Sequence, residues 1–188
     1  MKRELKDLSK EEWDKLFPIA LHPHDPKWPL IYKDEKDQIV NRLGNSILKI
    51  EHVGSTAIPA IKAKSYIDIS IEILVEHLFN EEIIQSLEKL GYTFFRQEGK
   101  DLDYMVFVKG YNLNGEIEQV FHIHMYPSGH ELLHQITFRD YLIANPERAK
   151  QYENLKTQLA DQHKNDRVGY RVAKDNFILE TLDLAKKL

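Results

Sequence analysis

The chain changes between helical and strand periodicity, and the order of these changes lays out its elements. Ser9 and Glu12 have capping-box spacing ahead of Trp13 and Leu16, so a short helix opens there and Pro18 stops it. In "LHPHDPKWP" each proline biases its predecessor away from the helical region, which predicts an extended segment. A charged amphipathic helix follows from about Leu30 to Leu43, with Gly44 placed to cap it. Next come a strand over Ile47 to Val53, a Gly54-Ser55-Thr56 turn with a short helix, and a strand over Tyr66 to Ile73. Asn80 caps a helix that Gly91 ends. "YTFFRQ" and "DYMVFVKG" are aromatic-rich strands, and "NLNGE" turns into the long strand "EIEQVFHIHMY". From about Leu132 onward the pattern is helical throughout. This order predicts an α+β fold, a sheet covered by helices on one side. It reads as a single domain over 1–188: a helical lead-in at 1–45, a sheet core at 46–127 and a helical part at 128–188.

Composition narrows the partners more than the fold. The 188 residues are 42% hydrophobic and 30% charged, enough for one sizeable core. A net charge of -4 gives no global field for nucleic acid, although a small anion could be held locally. The absence of cysteine removes disulfides, thiolate metal sites and cysteine nucleophiles, leaving nine histidines as the soft ligands. The N-terminus is charged without an apolar signal core, and no run approaches the roughly 18 apolar residues of a membrane span. A cytoplasmic protein without a membrane partner is therefore expected. The oligomeric state is left open.

The strand from Tyr66 spaces Asp68, Ser70 and Glu72 by two, so all three share a face. Gly54-Ser55 at a strand end is either a plain tight turn or a place where main-chain N–H groups and the Ser55 and Thr56 hydroxyls meet a phosphate. Lys62 and Lys64 follow closely, and Asp68 comes thirteen residues after Ser55 on the strand expected beside Val53. His122 and His124 share the face opposite Phe121, Ile123 and Met125, as a pair of metal ligands or as structural residues. His52 precedes the Gly-Ser turn. In the helical third, Arg139, Lys156, Arg167, Arg171 and Lys174 either line solvated faces or close over an anion held at the turn. Trp13 and Trp28 read as core anchors.

"WDKLFP", "HPHDPKWP", "IEHVGSTAIPAIKAKSYIDI", "HIHMY", "FRDYL", "YENLK" and "RVAKDNFI" together resemble the GrpB family, small proteins placed in the nucleotidyltransferase superfamily. The resemblance runs from about Trp13 to the C-terminus, and related domains are fused to some dephospho-coenzyme A kinases. It implies a nucleotidyltransferase-like mixed sheet in which the Gly-Ser turn holds nucleotide phosphates and carboxylates hold divalent metal. Active members carry two carboxylates two residues apart on the first acidic strand and a third on a later strand. Here Asp68 fits the first position, Ser70 stands at the second, and His122 or His124 lies where the third is expected. Ala60 replaces a usual glycine and Ser65 a usual proline.

Two functions follow from this reading. One is a metal-dependent nucleotidyl or phosphoryl transferase acting on a small molecule. Asp68, His122 and His124 would hold manganese, zinc, nickel, iron or magnesium, with Asp68 and His52 as catalytic groups. Gly54, Ser55, Thr56, Lys64 and Lys174 would bind the nucleotide or other phosphorylated ligand. The other is a non-catalytic module that binds a nucleotide or coenzyme-A-like ligand in the same cleft.

Overall fold

Four isoleucines at alternate positions of one strand set the apolar face of the molecule. The computed structural model describes residues 3–187; residues 1, 2 and 188, the ends of the expected domain, lie outside it. Strands β1 (Ile47–Val53) and β2 (Tyr66–Ile73) occupy the ranges expected from sequence. They are joined by β3 (Thr93–Gln97), β4 (Tyr104–Tyr111) and β5 (Ile117–Pro127). The five form a sheet in the order β1-β2-β5-β4-β3, with β2 and β5 parallel and the other neighbours antiparallel. Ile67, Ile69, Ile71 and Ile73 are completely buried on one face, beside Phe107, Ile123 and Met125. Helices α2 (Trp28–Leu43) and α3 (Glu81–Glu88) cover them with Trp28, Ile39, Leu43, Ile83 and Leu87. Each such side chain contributes about 1.5–3 kcal/mol on burial, so this face holds the main core.

Helix α2 begins at Trp28, two residues before the start predicted from the proline pattern. Pro29 lies in the first turn, where a missing N–H costs no intrahelical bond, and Trp28 is buried in the main core. The other face of the sheet carries Asp68, Ser70 and Glu72, and it too is covered. Helix α1 (Lys10–Leu16), capped by Ser9 and Glu12 as expected, brings Trp13 and Phe17 against Tyr66, Val108, Tyr111 and Val120. The C-terminal part folds as α4 (His134–Ala144), α5 (Pro146–Gln162), α6 (Arg167–Val172) and α7 (Asp175–Ala185). The fold is α+β with helices on both faces, which corrects the one-sided covering expected from element order. Polar residues of β2 and β5 meet a second helical layer where a half-solvated sheet would meet water.

Candidate functional site

Register decides which side chains can meet. Val53 pairs with Asp68 across β1 and β2, and Asp68 pairs with His122 across β2 and β5, so Asp68 and His122 are neighbours on one face. Asp68 Oδ1 lies 3.5 Å from His122 Nδ1. Beyond His122, its Nε2 is 2.9 Å from the Tyr111 hydroxyl, to which Arg167 donates at 3.3 Å. Arginine only donates, so the Tyr111 oxygen accepts from it, and the same hydroxyl pairs with His122 Nε2 as donor or acceptor according to the imidazole tautomer.

Gly54 closes the other side of Asp68. Its φ is 71°, and a Cβ built there would fall 2.2 Å from Asp68 Oδ2. Glycine is thus required both by the backbone and by the approach of the carboxylate. Ser55 and Thr56 continue into a single 3-10 turn ending at Ala57. Thr56 is buried; its hydroxyl donates to the Tyr66 carbonyl and lies 3.0 Å from His52 Nε2. That hydroxyl is therefore used within the fold.

His52 pairs with Ile69, on the opposite side of the sheet from Asp68, where its ring stacks on Tyr32 of α2 at 4.7 Å. Burial pushes its pKa down to about 4. The expected catalytic pairing of His52 with Asp68 is not brought together, because adjacent residues of a strand face opposite ways. Ser70 is buried and hydrogen-bonded to the Tyr126 hydroxyl, and Glu72 accepts from Ser128 beyond the end of β5. Neither supplies a second carboxylate beside Asp68. His124 shares the Asp68 face through its pairing with Ser70; burial draws its pKa down to about 4, and its Nδ1 has no hydrogen-bond partner.

These donors do not close on an ion. His122 is held at one nitrogen by Tyr111 and at the other by Asp68, and His124 stands one pleat further along β5. Among the described residues, no group of three or more His, Asp or Glu side chains is arranged to hold a metal. The residues present do not fit the two-carboxylate ion site that the resemblance implied.

What gathers around Asp68 instead is positive charge. Lys64 precedes β2 and lies with its Nζ 4.8 Å from the Tyr66 ring centre and 5.9 Å from that of Tyr170. Lys174, at the start of α7, lies 4.4 Å from the same Tyr170 ring. Lys156 of α5 is buried, lies 4.8 Å from the Tyr152 ring and donates to the Lys62 carbonyl. Arg167 of α6 also donates to the Phe17 carbonyl. Burial draws Lys64 down to about 7, Arg167 and Lys174 push it further, and Asp68 opposes them. Burial likewise draws Lys156 to about 7 and Lys174 to about 8. Asp68 pays a desolvation penalty, yet His122, His124 and Lys64 outweigh it and keep the carboxyl below its usual range. Lys64, Lys156, Arg167 and Lys174 thus share this region with the ionised Asp68, and with Glu153 beside Lys156.

Lys156 was among the helical-third cations that could close over an anion, whereas Tyr152 was not singled out from sequence and Tyr170 was not read as lining the site. Lys156 falls in the buried stripe Ala149, Tyr152, Glu153, Lys156, Leu159 of α5, whose spacing is a signal once charged residues are admitted to it. Arg139, by contrast, bonds Glu51 at 2.9 Å and the His52 carbonyl at 2.6 Å, tying α4 to β1.

Residues 18–184 match the family described as GrpB protein. The chain belongs to the GrpB family. A UPF0157 protein of Pseudomonas aeruginosa is 35% identical over 89% of this chain and 67% of its own length. A UPF0157 protein of Bacillus subtilis is 32% identical, and this chain spans 49% of it. The crystal structure of the conserved protein GrpB from Enterococcus faecalis superposes with a TM-score of 0.76 at 29% identity, covering 89% of this chain and 98% of that one. A dephospho-CoA kinase of Mycolicibacterium paratuberculosis is 41% identical over 83 residues, which are 40% of this chain and 19% of the kinase. This GrpB-family chain also has no helix among its described residues that is long and apolar enough to cross a membrane.

Proposed function

We propose that the cleft between the polar face of the sheet and the C-terminal helices captures the phosphate of a small phosphorylated molecule, in the class of nucleotides and coenzyme-A-like compounds. The observation that carries this reading is the meeting of Lys64 and Lys174 on the Tyr170 ring, near Asp68, with Lys156 against Tyr152 and Arg167 on the Tyr111 hydroxyl, from four separate stretches of chain. Buried and half-buried cations repel one another, and an anion placed among them relieves both that repulsion and their desolvation. The partial similarity to a dephospho-CoA kinase supports a phosphorylated ligand of this kind. Metal-dependent nucleotidyl transfer is the second reading; it is favoured by the unpartnered Nδ1 of His124 on the face of Asp68. Its donors do not close around an ion among the described residues.

Calorimetry with ATP, coenzyme A and inorganic pyrophosphate, with and without manganese, separates these readings. The binding reading expects metal-independent affinity that falls about 10-fold or more in Lys174→Ala, the cost of one charge-assisted hydrogen bond of about 1.5–3 kcal/mol. The exposed Lys62→Ala is expected to bind like the parent. Equal affinity in Lys174→Ala and the parent would place the anion elsewhere. Binding that appears only with manganese, together with turnover of ATP, would favour the transferase.

A further inference from the structure

We propose that Lys64 is a nucleophilic amine that forms an imine with the carbonyl group of an aldehyde- or ketone-bearing phosphate ester held in this cleft, an inference resting on the phosphate reading above. The geometry around Nζ carries it. Among the described residues, no carboxylate reaches Lys64 within ion-pair distance and no hydrogen-bond acceptor is assigned to it; its near neighbours are the faces of Tyr66 and Tyr170. Lys174 lies against the same Tyr170 ring and likewise forms no ion pair, so two amines flank one aromatic wall. Lys156 differs, since one of its protons is committed to the Lys62 carbonyl.

An ammonium held between aromatic faces and beside other cations sheds its proton more readily than one paired with an acid. The groups that face Lys64 are Asp68 from β2, His122 from β5, Lys156 from α5, Arg167 from α6 and Lys174 ahead of α7. Asp68 and the two ring faces favour the charged form, whereas burial, Arg167 and Lys174 oppose it and prevail, drawing Lys64 down to about 7. Lys64 is also only half-buried, so its lone pair is open to a molecule in the cleft.

The chemistry balances without an oxidant or reductant. The Nζ lone pair attacks the carbonyl carbon, and the C=O π electrons move to oxygen, which takes a proton from the Lys174 ammonium or from water. The attacking nitrogen returns its first proton to that donor, a second protonation lets the oxygen leave as water while the nitrogen lone pair forms the C=N bond, and release of the remaining amine proton closes the balance. A neighbouring cation both holds the phosphate and lowers the amine's proton affinity.

The test uses pyridoxal 5′-phosphate as probe on the full chain, followed by borohydride, which delivers hydride to the imine carbon and fixes it as a secondary amine. Peptide mass spectrometry is expected to find one phosphopyridoxyl group on Lys64, with a yield that half-saturates near pH 7 and falls when pyrophosphate competes. Lys64→Arg, checked by its melting curve for a retained fold, is expected to lose the product. Lys174→Gln, with a melting curve like the parent's to exclude loosened packing, is expected to move the half-saturation to higher pH. Labels spread over exposed lysines, or placed on Lys174 alone, would overturn the assignment. Unphosphorylated pyridoxal separates the two proposals. Equal yield on Lys64 from both aldehydes would keep the nucleophile and remove phosphate capture. Competition by pyrophosphate with no product on Lys64 would keep phosphate capture and remove the nucleophile.

Discussion

Ala60 sits at φ 63°, in the left-handed region where a side chain costs about 1–2 kcal/mol. The resemblance to the GrpB family placed a glycine at this position, and a comparison of side-chain volumes alone rates the exchange as harmless. The backbone shows what volume misses. Ala60→Gly is expected to raise stability by up to about 1 kcal/mol, the strain relieved less the entropy glycine loses on folding, read as a higher urea midpoint. No gain would mean that the turn before β2 already relaxes around the methyl group. Gly54 and Asp68 stood out as candidates because a turn glycine and an acid on an apolar strand are local signals, and the structure brings the two into contact. His52 was not, since the face it takes follows from pairing with Ile69, and register is a property of two strands.

At the scale of elements, the strands were legible because alternation and β-branched runs are local signals. Helix α5 shows the limit. Its buried stripe includes Glu153 and Lys156, which a reading by residue class assigns to solvent. The two are inward because they grip the backbone of Lys62, Glu153 accepting its N–H at 2.8 Å and Lys156 donating to its carbonyl. Glu35 of α2 is another inward acid, buried against Tyr92 and paired with Lys109 of β4. Removing one member of a buried pair strands the other, so Lys109→Ala is expected to cost about 3–5 kcal/mol in denaturant unfolding. A cost below about 1 kcal/mol would show that water reaches Glu35 when its partner is absent.

For the whole molecule, the lysines of the cleft couple folding and binding to pH in opposite directions. Lys64, Lys156 and Lys174 hold fewer protons folded than unfolded, with folded values of about 7, 7 and 8 against 10.5. The unfolded chain therefore binds more protons across that window, and stability rises with pH from about 7 toward 10. Anion capture needs the charged forms and weakens over the same range. Melting temperature without ligand is expected to climb from pH 6.5 to 9, while the shift produced by pyrophosphate shrinks. Parallel trends in the two would mean that these amines stay charged in the empty cleft. The parallel pairing of β2 with β5 has a kinetic consequence. β3, β4 and β5 join neighbours along the chain, as do β1 and β2, whereas β2 pairs with β5 across a long stretch of chain, a contact expected to form more slowly. The strand carrying Asp68 would then dock late in folding, so the cleft is among the last parts of a newly made chain to take shape.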